Sequence, residues 1–265
     1  MVYQSQSNGY CAYKFQSGLG TQASGSGAKI FRTTGGAGGK FSKNAVASNE
    51  VRRDGMRSRG RHGTQKTSGT QAGELALGAY DDVFEAIMRG TYSAANLALT
   101  EATGGLTSIT TGANTIVNGG GSWITEGVRV GQVWRLTGHA SAANNGINLR
   151  VTGVTADTIT VAETLVVNGT PDTAFTLTRP GRVLINPAAG SLVKRYATWE
   201  EHEIDIDGSE LFTDAVFGSG KLAMSPDGII TFEAGWTGTG KFETKTAGSA
   251  PFFTSPTENT ADPMA

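Results

Sequence analysis

Three histidines, one cysteine and one glycine-rich loop are the groups in this chain that could do chemistry, and none is arranged for it. Gly235-Trp236-Thr237-Gly238-Thr239-Gly240-Lys241 matches a phosphate-binding loop at all but its last position. That position is Phe242, where Ser or Thr would hold magnesium. Its flanks read as strands, whereas such a loop needs a following helix, so it reads as a glycine hairpin. His62, His139 and His202 are far apart and fit no metal-ligand spacing. His202 sits among Glu200, Glu201 and Glu203, but a period-2 strand divides these between two faces. There is no Gly-x-Ser-x-Gly elbow, and the sequence shows no base beside Cys11. The expectation is no catalytic residue, no metal and no cofactor.

The residues do support contact through charge. Net charge is −1, yet Lys29–Lys66 holds ten of the 22 Lys and Arg and only two of the 23 Asp and Glu. Its densest part, Arg52–Lys66, carries Arg52, Arg53, Arg57, Arg59, Arg61 and Lys66 with three glycines and little apolar content. This stretch is expected to be an exposed loop or arm, mobile until something binds it. It could be a solvated loop, a phosphate contact or a subunit contact. No aromatics are interleaved with the arginines, which disfavours base stacking. Tyr196–Ile206 reads as a strand. Alternation puts Glu201, Glu203, Asp205 and Asp207 on one face, headed by Trp199. Four successive acids cannot share a core face, so this one is expected to line solvent, a channel or a basic partner. The chain thus supplies a complement to its own arm, and docking of the arm on another subunit is favoured. The two uses compete: an acidic face covered by the arm cannot also line a channel.

The elements that must position these groups are mostly strands. Glycine is 38 of 265 residues, about twice the usual share, and suits short strands and turns. A single cysteine excludes an intrachain disulfide and fits a reducing site of synthesis. The N-terminus, MVYQSQSNGY, has no basic or apolar leader pattern, and no run approaches the ~18 apolar residues of a membrane span. Synthesis in the cytoplasm without a membrane anchor is therefore expected. One helix stands out. Tyr80, Val83, Phe84 and Ile87 fall at i, i+3, i+4 and i+7, with Asp81 and Asp82 in the first turn and Gly90 as its cap. Leu75 and Leu77 before it alternate like a strand.

Tyr92–Gly105 reads as a small-residue linker. From about Ser108 the character changes to about six short strands with regular turns, among them Asn114–Val117, Ser122–Thr125 and Gln132–Thr137. That spacing suggests a small antiparallel barrel or sandwich over residues 108–181, inserted into a core of 1–107 and 182–265. Within Gln132–Thr137, Trp134 and Leu136 share one face, with Val133, Arg135 and Thr137 on the other. The fold class is mainly β: a β-sandwich or partial-barrel core with one flanking α-helix, plus a small inserted all-β domain.

The order of features resembles the tail tube proteins of long-tailed, non-contractile (siphovirus-type) bacteriophages. The carrying residues are Tyr13-Lys14, Ser48-Asn49-Glu50-Val51-Arg52 with Asp54 and Arg57, Gly73-Glu74-Leu75, and Tyr80-Asp81-Asp82-Val83-Phe84-Glu85-Ala86. The inserted segment adds Ser122–Gly127, Val130-Gly131-Gln132 and Asn144-Asn145-Gly146. The resemblance implies a structural virion protein of the tail with no enzymatic activity. It implies hexameric rings closed by two long hairpins per subunit, stacked through an inter-ring loop where the basic arm lies, with the insert outside. It also implies tape measure, tail terminator and distal tail proteins as partners, and transient, non-specific passage of double-stranded DNA. Two other classes fit parts of the sequence. A carbohydrate-binding or adhesin-type module would explain the Gly/Thr-rich strands, and a DNA-binding protein would use the arm with strongly salt-dependent affinity.

Overall fold

The computed structural model describes residues 9–265; the first eight residues, most of the stretch read above for its lack of a leader, lie outside them. Two compact units appear, Met1–Thr91 with Ile185–Ala265, and Tyr92–Leu184. In chain order the first contributes β1 (Gly9–Phe15), β2 (Lys29–Phe31), β3 (Lys40–Val46), β4 (Arg61–Glu74) and helix α1 (Asp81–Met88). The second holds β5 (Leu97–Thr100), β6 (Ile109–Thr111), β7 (Thr115–Asn118), β8 (Val133–Thr137), β9 (Asn148–Val154), β10 (Thr158–Val161), β11 (Asn168–Asp172) and β12 (Thr176–Arg179). The chain then returns to the first unit for β13 (Ala197–Glu203), β14 (Gly208–Ala223), β15 (Thr231–Gly238) and β16 (Lys241–Lys245).

The first unit is one antiparallel path, β2-β1-β13-β14-β15-β4-β3, folded into a sandwich by its longest strand. The first half of β14 pairs with β13 and β16, and its second half, from Val216, pairs with β15. The change of partner falls at Asp214, which takes a left-handed φ of 63°. Such a backbone costs energy in a non-glycine residue. Here the carboxylate repays it by accepting the Gly20 N–H at 2.6 Å and the Thr239 O–H at 2.9 Å, with Lys241 Nζ at 3.3 Å. The bent path brings two aromatic faces together. Trp199 of β13 and Phe212 of β14 stack against Trp236 of β15 at 5.8 and 5.3 Å between ring centres. Each such side chain contributes about 1.5–3 kcal/mol by burial.

Helix α1 closes this core. Val83 and Ala86 are buried, and Tyr80, just before the helix, bridges Phe31 at 4.9 Å and Phe232 at 5.1 Å. Asp82 accepts the Tyr13 O–H at 2.7 Å and pairs with Lys29 at 2.8 Å. The cap differs from the expectation: Arg89, not Gly90, takes the left-handed position at φ 51°. The Gly90 N–H still closes the turn on the Glu85 carbonyl at 3.1 Å. The preceding strand ends at Glu74, and Leu77 is exposed.

The second unit is an eight-stranded antiparallel path, β11-β6-β7-β10-β9-β8-β12-β5, around its own core of Trp123, Trp134, Leu136, Leu149 and their neighbours. Trp134 and Leu136 point inward and Val133, Arg135 and Thr137 outward, as the alternation requires. Two expectations change. Tyr92–Gly105 is not a linker, because Leu97–Thr100 pairs with β12, so this unit begins before Ser108. Ser122–Thr125 is a turn whose Trp123 is buried with its indole N–H donating to the Asp157 carbonyl at 3.1 Å. The end strands β11 and β5 do not meet, so among the described residues the path is open and no barrel closes.

Candidate assembly surfaces

The basic stretch is a hairpin, not a loose loop. Arg61–Lys66 is the first part of β4, laddered to β3 from Lys40↔Ser68 to Val46↔Arg61. Polar side chains hid the strand, because its ladder is made of backbone groups. Both faces of this part of the hairpin are exposed, so it projects as a two-stranded ribbon. At its tip, Val51 bridges to Arg57, the Arg52 N–H bonds the Met56 carbonyl at 2.9 Å, and Ser58 Oγ donates to Glu50 at 3.0 Å. The tip is thus structured in the single chain. Arg52 lies 3.8 Å from Asp54, while Arg53, Arg57, Arg59 and Arg61 have no ion-pair partner among the described residues. Val51 and Met56 stand exposed beside them, at 71% and 65%.

The acidic face does not persist along its strand. β13 ends at Glu203; Ile204–Ile206 turns as a 3-10 helix and Asp207 takes φ 47°, so Asp205 and Asp207 leave the face that carries Glu201 and Glu203. One carboxylate oxygen of Glu201 is held by the fold. This Oε1 accepts the Gly39 N–H at 2.7 Å, the Trp199 indole N–H at 2.9 Å and the Gln71 amide at 3.3 Å. It ties the root of the β3–β4 hairpin to β13. Glu200, on the opposite face, is fully buried and accepts the Ser209 O–H, the Phe252 N–H and the Phe253 N–H at 2.6, 2.6 and 3.0 Å. Three matched donors are what let a carboxylate sit in a core. The carboxylates that do converge are Glu201, Glu203 and Glu210, around a cleft of about 330 Å³ shared with Lys245. Burial, then repulsion from Glu201 and Glu203, pushes the Glu210 carboxyl above the usual range.

The surface that sequence did not single out is the four-stranded sheet formed by the second half of β14 with β15, β4 and β3. Both of its outer strands are open. β3 pairs only with β4, and Val216–Ala223 only with β15. One face packs on the aromatic core through Phe217, Phe232, Ala234, Trp236 and Thr67. The other is uncovered and carries Ser68, Thr70, Ser219, Thr231 and Thr237 with Gly235, Ala72, Ala223 and Val216, and Glu74 and Glu233 against Lys40, Lys66 and Lys221. The hairpin tips lie at opposite ends of this sheet, since Thr231, next to the β14–β15 tip, faces Glu74, far along β4 from the arm. The one sequence signal was Gly218-Ser219-Gly220: glycines inside a strand mark a close approach. A Cβ on Gly220 would meet Ile87 of α1 and Phe232 at 3.0 and 3.1 Å.

The groups considered for catalysis are placed structurally. His202 Nδ1 lies 3.0 Å from Ser209 Oγ; His139 is buried, with Nδ1 accepting the Ser141 N–H; His62 is in the arm strand. Cys11 faces Glu201, and burial with those carboxylates holds its thiol well above its ordinary range, so it is not a poised nucleophile. Gly235–Lys241 is not a hairpin: it turns a corner, with β15 and β16 pairing to different halves of β14. Among the described residues no group of three His, Cys, Asp or Glu could hold a metal ion, and no helix is long and apolar enough to cross a membrane.

A family model described as phage tail tube protein matches residues 6–265. No curated protein matches the chain.

Proposed function

Because the chain belongs to the phage tail tube protein family, we propose that copies of it join sheet edge to sheet edge into hexameric rings, that the rings stack into a tube, and that this tube carries the phage genome. The observation that supports the reading is the four-stranded sheet with both edges open. Exposed strand edges are a hazard that proteins cover, pair or close into barrels. Here β14 and β3 are the outer strands of an antiparallel set of four, so they run in opposite directions. Copies related by rotation alone therefore meet antiparallel at every junction, and a ring leaves no edge.

The bare face then lines the channel. Hydroxyls, glycine and small apolar side chains, with two acids against three lysines, offer DNA few phosphate contacts and so little friction. This replaces Glu201, Glu203, Asp205 and Asp207 as the lining. The arm, with Arg52, Arg53, Arg57, Arg59, Arg61 and Lys66, extends past one end of the sheet and reaches the next ring. The second unit, Tyr92–Leu184, decorates the outside, and the tape measure, terminator and distal tail proteins meet the tube at its core and ends. The chain acts as a scaffold and not as an enzyme. Negative-stain microscopy of the purified protein tests this. The expected result is hollow tubes bearing lateral projections. A uniform monomer at high concentration overturns the reading, and smooth-walled tubes overturn the decoration.

A further inference from the structure

The two open edges lie on opposite halves of the sheet. The ladder Val216↔Thr237↔Ser68↔Lys40 marks one level across all four strands. From that level the open part of β14 runs toward Glu74, ending at Ala223, which faces Thr231 and through it Glu74. The open strand β3 runs the other way, ending at Val46 opposite Arg61. A neighbour placed level with its partner would set Val216–Ala223 against the irregular stretch 34–39, which bonds β4 through Thr34, Gly35 and Ala37, and Lys40–Val46 against the half of β14 already paired by β13 and β16. For the edges to overlap, each copy must be displaced along the strands relative to the next.

Three constraints fix the displacement. Full overlap of Val216–Ala223 with Lys40–Val46 needs a shift of six or seven positions on the β4 scale. Side chains alternate, so only an even shift keeps core-facing residues on the core side. A shift of six is ~20 Å along the strands, at ~3.4 Å per residue. Four strands span ~19 Å across, at ~4.8 Å each. The ratio tilts the strands by about 45°, at the upper end of the tilt found in closed barrels.

Resting on the ring reading above, we infer that β3 of one copy pairs antiparallel with β14 of the next in one register: Lys40 opposite Ala223, Phe41 opposite Leu222, Ser42 opposite Lys221 and Lys43 opposite Gly220. Side-chain chemistry agrees with this register. Leu222 is an apolar residue left 46% exposed on the core side of its strand. Phe41 is half-buried on the same side, stacked on Phe242 at 5.4 Å. The pairing sets Leu222 on Phe41 and covers both. On the channel side it sets Lys221 beside Ser42, with no charge opposed by a like charge. The bulges at Lys43/Ala45 and Phe217/Ser219 fall outside the four pairs, so the ladder through them is regular.

Cysteine cross-linking tests the register on the full chain, with Cys11→Ala removing the native thiol. Opposed Cα atoms sit ~4.5–5.5 Å apart, within disulfide reach, whereas a slip of two residues takes them beyond it. Ser42→Cys with Lys221→Cys is expected to give, on mild oxidation of assembled tubes, a covalent ladder on a denaturing gel. Ser42→Cys with Ser219→Cys, or with Ala223→Cys, is expected to give at least tenfold less. All these positions are exposed, so folding is retained, and each reduced variant is first imaged for tubes. Tubes that cross-link through Ser219 or Ala223 instead, or through none of the three, overturn the register while leaving the tube intact. A protein that forms no tubes before any substitution fails the ring reading itself. As a second check, Leu222→Asp is expected to abolish tubes with an unchanged melting temperature of the free subunit; tubes that persist overturn the Leu222–Phe41 contact.

Discussion

Strand β13 and the four-stranded sheet belong to one continuous path, yet they are finished to different degrees. β13 is paired on both edges and covered on both faces, by the aromatic core on one side and by Phe252 and Phe253 on the other. Even its Glu200 is matched by three donors. The sheet of β15, β4, β3 and the far half of β14 has one face bare and both edges open. The difference lies in what each part is stable against. The first holds the subunit together, and on the ring reading proposed above the second is completed by other copies. A single strand serves both because Asp214 turns it from one sheet into the other.

The contrast breaks most visibly at Glu200. Glu200→Ala removes the acceptor of the Ser209 hydroxyl and of two backbone N–H groups in a site closed to water. Each orphaned donor costs about 1–3 kcal/mol, and the three are not additive, so about 3–5 kcal/mol of subunit stability is expected to go. Denaturant unfolding of the free subunit measures it; a loss under about 1 kcal/mol would mean that Phe252 and Phe253 find other partners. The opposite substitution acts on the unfinished side. Glutamate at Arg52, Arg53, Arg57, Arg59 and Arg61 removes only one weak ion pair, that of Arg52 with Asp54. Subunit stability is expected to move by less than ~1 kcal/mol, while stacked tubes give way to single rings under the electron microscope. Tubes of unchanged length would show that the arm does not join rings.

Sequence revealed the parts of this fold whose causes are local. The helix was visible because Tyr80, Val83, Phe84 and Ile87 repeat at its own period, and the inward face of β8, Trp134 with Leu136, was visible in alternation. It failed where partners are remote. Nothing near Glu201 announces that Gly39 and Gln71, more than a hundred residues away, will hold one oxygen of its carboxylate. An alternation of acids therefore read as an exposed face when its first member braces the core. The same limit concealed the open edges. Gly218-Ser219-Gly220 and Lys40–Val46 look like weak strands because each has only one partner strand, and propensity cannot separate a half-paired strand from an unfavourable one. The corner at Asp214 was equally hidden, since aspartate there is set by Gly20 and Thr239 and not by its neighbours.

The smallest effect is expected where the finished and unfinished parts meet. Glu210 stands opposite Glu201 at the rim of the acidic cleft. Glu203 faces it from β13, Cys11 lies beyond Glu201 on β1, and Lys245 of β16 is drawn off by Glu243 at 2.9 Å. Burial and the two glutamates raise the folded-state pKa of Glu210 above its unfolded value. The protonated carboxyl is therefore favoured by folding: its contribution is fully present below the unfolded carboxylate range, about 4.3 for glutamate, and is lost as pH rises through the folded value. Glu210→Gln keeps the size and drops the charge. It is expected to match the parent in acid and to exceed it slightly at neutral pH, by less than ~1 kcal/mol because the side chain is largely solvated. Unfolding curves of both proteins across that window decide the point. A variant less stable at neutral pH would mean that the charge is held by a favourable contact, and the cleft would then belong with the finished side of the molecule.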